Sequence, residues 1–331
     1  MNSEGYTGVV LLTAGELQGL LDPVSAIVAL REAYNALAEH REDQGRSLGF
    51  AIAGGSIHVK AGLLPGSRAA FAAKVNVNLP SNWQAHGLPT IQGLVVLADT
   101  KNGRPLAIMD SSTLTAARTA ATAALAATYG ARPGSRIAAL IGCGTQARHQ
   151  LAAFRAVFPL EEVRVHDLDR EKAERFARIA GGSCRLAESV SAALDGADIC
   201  ITCTTATAPI LMDDLPLTGC FVAAIGADGP SKQEIHSALF RRARILVDDL
   251  EACASGGDLF HALTAGAVRR EHVHADLAEL AAGRKAGRQS PEELVIFDST
   301  GSGVQDVAVA SLAYRTALQT GRGIRIDFSE T

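Results

Sequence analysis

Residues 136–147, RIAALIGCGTQA, decide the fold of this 331-residue chain. The run IAALI is apolar without alternation, as a strand buried on both faces reads. Gly142 and Gly144 follow it directly, and then TQARHQLAAF places apolar residues at helical spacing. Strand, glycine turn and helix in that order form a dinucleotide-binding loop. Gly142 permits the tight turn, Gly144 lets backbone approach a pyrophosphate, and Ala147 in the third position still allows close helix–strand packing. The helix N-terminus offers free N–H groups and the positive end of its dipole to phosphates. The next strand-like run, EVRVHD, ends at Asp167, about 20 residues past Ala147. A carboxylate there accepts from adenosine ribose hydroxyls and repels a 2′-phosphate, so NAD(H) is expected over its phosphorylated form. Neither Arg164 inside the run nor Arg170 beyond it offsets that acid. Thr119, Thr145, Gln146, Thr204, Gly226 and Gly301 are expected to complete the cofactor contacts.

Further strand-like runs follow at 183–187, 197–203, 220–226, 243–249 and 293–299, some separated by amphipathic stretches such as DREKAERFARIAG. Strand–helix alternation implies an α/β fold with a doubly wound parallel sheet of Rossmann type. The first 110 residues read differently. A helix over about 23–40 precedes the alternating runs SLGFAIA, SIHVKAG, AAFAAKVNVN and TIQGLVVLAD, divided by Gly, Pro and Asn, which suggests an antiparallel meander. A small-residue helix over 112–130 leads into the Rossmann segment. After Gly303 a helix and the short strand GIRIDF end the chain, and they need the first core to join. The expected division is 1–128 with 305–331, an α+β substrate-binding and dimerisation domain, and 129–304, the NAD-binding domain.

The chain is 47% hydrophobic and 20% charged with net charge -4, which gives no reason to expect a nucleic acid or an anionic membrane as partner. No apolar run is long enough to cross a membrane, and the N-terminus lacks the basic region of a signal peptide, so a cytoplasmic protein is expected. Cys200 and Cys203 form a C-x-x-C, but within a strand residues three apart point to opposite faces, so buried strand cysteines are expected and no metal.

The meander carries a group of cations. Alternation puts Lys74, Asn76 and Asn78 on one face, and His58 and Lys60 on one face of the preceding run. A hairpin around LLPGSR would bring Lys60 near Lys74. Thr90 and Gln92 share a face at the start of the next run, and Arg46 precedes the first. Arg118 is the only charge in the helix over 112–130. A guanidinium on such a helix is costly to bury unless an anion meets it, either a substrate carboxylate or a structural partner such as Asp110. On the other segment, Asp228 lies between Gly226 and Gly229 where the fifth Rossmann strand ends. Ligands in such sheets bind beyond the carboxyl ends of strands, so Asp228 could hold a substrate ammonium or move its proton; the bland reading is a turn aspartate. Lys232 and Glu234 are read as fixing that loop.

Taken together, KVNVNLPSNWQAHGLPTIQG, LAIMDSSTLTAARTAA, LIGCGTQARHQL, IGADGPSKQEI, ARILVDDLEA and IFDSTGSGVQDVAVA resemble the ornithine cyclodeaminase/mu-crystallin family over nearly the whole chain. The resemblance implies a homodimer and a nicotinamide-dependent enzyme acting on a small amino or imino acid. It implies that Arg46, Lys74 and Arg118 bind the substrate carboxylate, that Thr90 lies near the substrate and that Asp228 is the catalytic carboxylate. Lys74 could also serve as acid/base toward the water that attacks the imine, if Lys60 and Arg118 depress its pKa. The Asp228 loop looks most like the alanine dehydrogenase branch. Where many members carry Met-Pro-Ala, this chain has Val59-Lys60-Ala61, and Lys60 could contact a second substrate carboxylate. The expected activity is interconversion of a small L-amino acid and its 2-imino or 2-oxo acid. The alternatives are a cyclodeaminase that recycles its NAD and releases ammonia, and a non-catalytic cofactor-binding protein of crystallin type.

Overall fold

The computed structural model describes residues 8–40, 45–66 and 69–327. The chain forms two compact units, Met1–Arg118 with Ser302–Thr331 and Thr119–Gly301.

The first unit begins with β1 (Val9–Leu12), α1 (Ala14–Gln18) and α2 (Pro23–Glu39). Asp22 caps α2 by accepting from Ser25 N, and Pro23 opens it, where a missing N–H costs nothing. Strands β2 (Arg46–Ile52), β3 (Gly55–Leu64) and β4 (Ala70–Asn78) come next, then α3 (Asn82–His86), β5 (Ile91–Asp99) and β6 (Pro105–Asp110). These are the expected meander, paired antiparallel from β2 to β6. The tip of the β3–β4 hairpin, residues 67–68, lies outside the described residues. The long helix α4 (Ser111–Gly130) follows and runs into the second unit.

The second unit continues with β7 (Ile137–Ile141), α5 (Thr145–Val157), β8 (Glu162–His166), α6 (Arg170–Ala180), β9 (Cys184–Leu186), α7 (Val190–Leu194), β10 (Ile199–Thr202), β11 (Thr207–Leu211), β12 (Phe221–Ala224) and β13 (Gln233–Ile235). It ends with β14 (Ala243–Val247), α8 (Leu250–Gly256), α9 (Asp258–Thr264), β15 (Val273–Asp276), α10 (Leu277–Ala281) and β16 (Leu294–Asp298). Eight strands form a parallel sheet in the order β15-β14-β16-β12-β10-β7-β8-β9. The direction of winding reverses between β7 and β10, the crevice where doubly wound sheets bind ligands. All residues of β10, β12 and β16 are buried, as unalternating apolar strands require.

The tail, α11 (Gly303–Thr320) and β17 (Ile324–Ile326), returns to the first unit. There β17 pairs antiparallel with β1, and β1 pairs parallel with β6, completing a sheet in the order β17-β1-β6-β5-β4-β3-β2. The residue pattern does not announce β1 or β15. Each has four residues, too few for a pattern, and pairing makes it a strand: β1 lies between β17 and β6, and β15 lies at the sheet edge beside β14. The contact boundary falls at Arg118/Thr119, inside α4, earlier than the division at residue 128. The far end of α4 belongs to the Rossmann core, where a Cβ on Gly130 would meet Phe221 at 2.6 Å.

No described helix is long and apolar enough to cross a membrane. Both cysteines of the C-x-x-C are free: Cys200 is inside β10, and Cys203, just past its end, donates to Gly142 O at 3.3 Å.

Candidate active site

In the first unit, β3 and β4 pair with Lys60 directly opposite Lys74, so both side chains leave the same face. Helix α11 closes on that face. A Cβ on Gly62 would meet Gly303 carbonyl carbon at 2.4 Å, and one on Gly303 would meet Ala61 O at 2.3 Å. Two glycines thus let strand and helix backbones touch, and the start of α11 lies against the cations. Asp306, buried, places both carboxylate oxygens 2.9 Å from Lys74 Nζ, and Oδ1 lies 3.2 Å from Arg118 Nε. Lys74 also donates to Thr115 Oγ1 (3.2 Å). Arg118 Nη1 donates to Gln305 Oε1 (2.6 Å), and Gln305 Nε2 donates to Tyr34 Oη (2.8 Å) on α2.

Lys74 is 3% exposed and Arg118 5%, so two buried cations share one buried anion. Arg118 Nε, for all its closeness to Asp306, makes no hydrogen bond. A buried guanidinium N–H without an acceptor, beside a surplus positive charge, calls for an anion that hydrogen-bonds. Burial pushes the Lys74 ammonium down to about 7; Asp306 pulls it up, while Arg118 and Lys60 push it further down. Burial also pushes the Asp306 carboxyl up, but Lys74 and Arg118 override it and hold the group below its ordinary value. The arrangement can therefore bind a carboxylate and exchange a proton near neutral pH.

Not every expected residue joins this group. Arg46 is the first residue of β2 and pairs with Ala61, which puts its Cβ on the sheet face opposite Lys60 and Lys74; its Nη1 donates to Gly45 O (2.9 Å). Thr90 is exposed and precedes β5 rather than lying in it. Asp110 does not pair with Arg118: it caps α4, accepting from Thr113 N at 2.8 Å. Asp306 and Gln305 escaped the sequence reading. Their signal was a polar pair in the first turn of a helix whose next four residues, Val307–Ala310, are all apolar.

In the second unit the glycine loop has the geometry a dinucleotide needs. Gly142 adopts φ +94°, and a Cβ there would meet Cys203 O at 2.9 Å. A Cβ on Gly144 would find only Lys172 Nζ, 4.0 Å away, so the loop is open on that side. Gly144 caps α5 with no side-chain hydrogen bond, which leaves the first N–H groups of the helix to a ligand. Ala147 is wholly buried in the helix–sheet contact. Asp167 accepts from Cys143 N (2.7 Å) and Asp169 N (3.0 Å), and Lys172 lies 3.1 Å from it. Burial pushes Asp167 up, but those donors and Lys172 hold it below the ordinary carboxylate value, so it is ionised. It lines a concavity of about 190 Å3 with His166, Leu168, Leu186 and Ala187, room for an adenine edge. Arg164 is occupied by Glu162, and Arg170 by Glu174 and Glu188. Lys172 was not foreseen. These residues fit NAD(H).

Thr204 and Gly226, after β10 and β12, are both held by Glu234, wholly buried. Asp228 follows in an exposed loop, with Lys232 Nζ 2.6 Å from its Oδ1. Gly301 N donates to Asp248 Oδ2 (2.8 Å), which fixes the turn after β16. Among the described residues no group of three or more His, Cys, Asp or Glu is arranged to hold a metal ion.

A sequence profile of the ornithine cyclodeaminase/mu-crystallin family matches residues 52–321. The chain belongs to this family. The alanine dehydrogenase of Archaeoglobus fulgidus is 36% identical over 324 residues, covering 96% of this chain and 98% of the relative. Among solved structures, an archaeal alanine dehydrogenase dimer with bound NAD superposes with a TM-score of 0.91 at 36% identity over 97% of this chain and 99% of that one. The Δ1-pyrroline-2-carboxylate reductase of Thermococcus litoralis, in complex with NADH and L-proline, gives 0.90 at 31% identity over 96% and 100%. The fold and the motifs quoted from the sequence therefore belong to a family of dehydrogenases, reductases and cyclodeaminases.

Proposed function

We propose that this chain is an NAD(H)-dependent oxidoreductase that interconverts a small L-amino acid and its 2-imino or 2-oxo acid, with Arg118 and Lys74 binding the carboxylate. The surplus buried cation, and an Arg118 Nε that lies beside Asp306 without hydrogen-bonding to it, carry this reading. Arg118 offers Nε to one carboxylate oxygen, and Lys74 donates an N–H, which its neutral amine keeps, to the other. Asp306 holds both side chains in place before substrate arrives, so their ordering is not a cost of binding. Lys60, facing Lys74, adds positive potential and would favour a substrate with a second carboxylate.

Bound NAD supplies the hydride acceptor at nicotinamide C4, and NADH the donor. The glycine loop would hold the pyrophosphate, and Asp167 would hold the ribose hydroxyls. Asp228 binds the substrate nitrogen and takes or returns its proton. Lys74, poised near neutral pH, takes a proton from the water that adds to the imine carbon on the way to the 2-oxo acid.

One screen tests the reading. Purified protein is given L-alanine, L-aspartate, L-proline and L-ornithine with NAD, and the matching 2-oxo acids with ammonia and NADH or NADPH. Net NADH formation from an amino acid is expected, with NADH preferred over NADPH. Ammonia release from ornithine without net NADH would make the protein a cyclodeaminase, and cofactor binding with no turnover on any compound would make it a binding protein.

A homodimer goes with this reading. The face of the first sheet opposite Lys74 carries Leu48, Phe50, Ile52, Leu63, Val75, Leu94 and Val96, all exposed, with Phe50 at 54% and Leu94 at 55%. So continuous an apolar surface on a soluble chain marks an interface, and the related archaeal alanine dehydrogenase is a dimer. The wild type should elute as a dimer and Leu94→Asp as a monomer in sedimentation or light scattering; a monomeric wild type removes the proposal.

A further inference from the structure

Beneath the Thr204 and Gly226 turns lies a set of buried acids that hydride chemistry does not use. Glu234 spans the two turns: Oε1 accepts from Thr204 N and Thr204 Oγ1 (both 2.7 Å), and Oε2 accepts from Gly226 N (2.7 Å) and Thr202 Oγ1 (2.6 Å). A Cβ on Gly226 would meet Glu234 Oε1 at 2.5 Å, so only glycine lets the carboxylate this close. The backbone of Glu234 is held in turn by Asp258, whose Oδ1 accepts from Glu234 N and Ile235 N (both 2.8 Å). The start of α9 is held by Asp298, which accepts from Asp258 N (3.2 Å) on Oδ1 and from Leu259 N (2.9 Å) on Oδ2. Glu234, Asp258 and Asp298 each have no exposed surface. Among the described residues no lysine, arginine or histidine forms an ion pair with any of them.

Three buried carboxylates without a counter-cation cannot all ionise. Counting donors locates the proton. Both oxygens of Glu234 and both of Asp298 accept from backbone N–H groups, which cannot turn away. Asp258 Oδ2 alone is buried and without a partner. We propose that Asp258 carries a proton in the folded protein, that this leaves Glu234 ionised, and that Glu234 is thereby the positioning residue that pins the Thr204 and Gly226 turns for NAD(H). Losing the proton adds a buried charge beside Glu234 and Asp298 and loosens both turns.

Burial pushes all three carboxyls up, and Asp258 goes well above its ordinary value, with Asp298 and Glu234 adding to the effect. The other titratable groups facing them are Asp248 just after β14 and the thiols of Cys253 on α8, of Cys200 inside β10 and of Cys203 just past it; burial pushes these thiols well up, so they stay neutral. On the loop and on α9, Lys232 pairs with Asp228, and His261 Nε2 meets Lys232 O at 2.9 Å. The folded state holds a proton that an unfolded aspartate releases near pH 4. Stability is therefore fully present below that pH and falls as pH rises through the raised value.

The test uses the full chain, with NADH affinity read by fluorescence and melting temperature by circular dichroism between pH 6 and pH 9. In the wild type melting temperature falls across this range, because the unfolded chain has released the proton that folded Asp258 keeps. Asp258→Asn keeps the two accepted hydrogen bonds and mimics the protonated acid. It should match wild-type affinity at pH 6 and lose the alkaline decline. Glu234→Gln places an amide where two sets of donors converge and should weaken NADH binding about tenfold or more at every pH. Infrared spectra of the wild type at pH 7 should contain the band of a protonated, buried carboxylic acid that Asp258→Asn abolishes, a readout that does not need NADH. A pH-independent wild type, an unchanged decline in Asp258→Asn, wild-type affinity in Glu234→Gln, or no such band would overturn the proposal.

Discussion

Replacing Lys74 with alanine should lower kcat by roughly 10²–10⁴-fold, the range for losing a positioned acid or base, and raise KM as well, because the same side chain binds the carboxylate. NADH affinity should stay near that of the wild type, since the glycine loop and Asp167 are untouched. The pH dependence is the sharper readout. Lys74 is pushed down to about 7, so above that pH the amine is free to accept a proton. In the amino-acid-oxidising direction kcat/KM should therefore rise through about pH 7. Asp306→Asn removes the anion that pulls Lys74 up, so the rise should begin at lower pH. It also leaves Lys74 and Arg118 buried without a charge partner, a loss of about 3–5 kcal/mol of stability. A rise that stays in place in Asp306→Asn would show that Asp306 does not act through Lys74. A rise unchanged in a conservative Lys74→Arg variant, whose guanidinium does not titrate in this range, would take Lys74 out of the proton transfer.

Asp228→Ala should be as damaging in a different way. Its carboxylate is exposed, with the Lys232 ammonium 2.6 Å from Oδ1. Removing it should leave the fold and NADH binding nearly unchanged while kcat drops by roughly 10²–10⁴-fold. Asp228→Asn keeps the size but cannot take a proton, and it should fall as far. Stopped-flow measurement of hydride transfer with saturating NADH separates the outcomes: full-speed transfer in either variant removes Asp228 from the chemistry, and lost NADH binding makes it a loop-fixing residue only.

Much of this was legible before any coordinates. The Rossmann sheet was readable because its strands are buried on both faces, and that burial writes unbroken apolar runs into the chain. The Gly142 turn was readable because φ +94° admits little besides glycine. Lys60 and Lys74 could be paired because a short hairpin fixes register. Arg118 was conspicuous because its helix holds no other charge.

The partners were not legible. Asp306 lies nearly two hundred residues beyond Arg118 in the chain, and only the return of α11 to the first sheet, through the backbone contact of Gly62 with Gly303, makes it the shared anion of two cations. The same tertiary fact turns Lys74 from an ordinary strand lysine into a buried group that titrates near 7, because burial, not residue type, sets that value. Arg46 went the other way: one position of register put its Cβ on the apolar face. Glu234 could be read as holding its loop, but not that Asp258 stores the proton that keeps it charged. Sequence by itself determined the fold class and the cofactor loop, and it singled out Lys74 and Arg118 as the cations proposed to meet substrate. Tertiary structure decided which charges are buried, which share a counter-ion and where a proton resides, because those depend on desolvation and on donors that distant segments bring to one place.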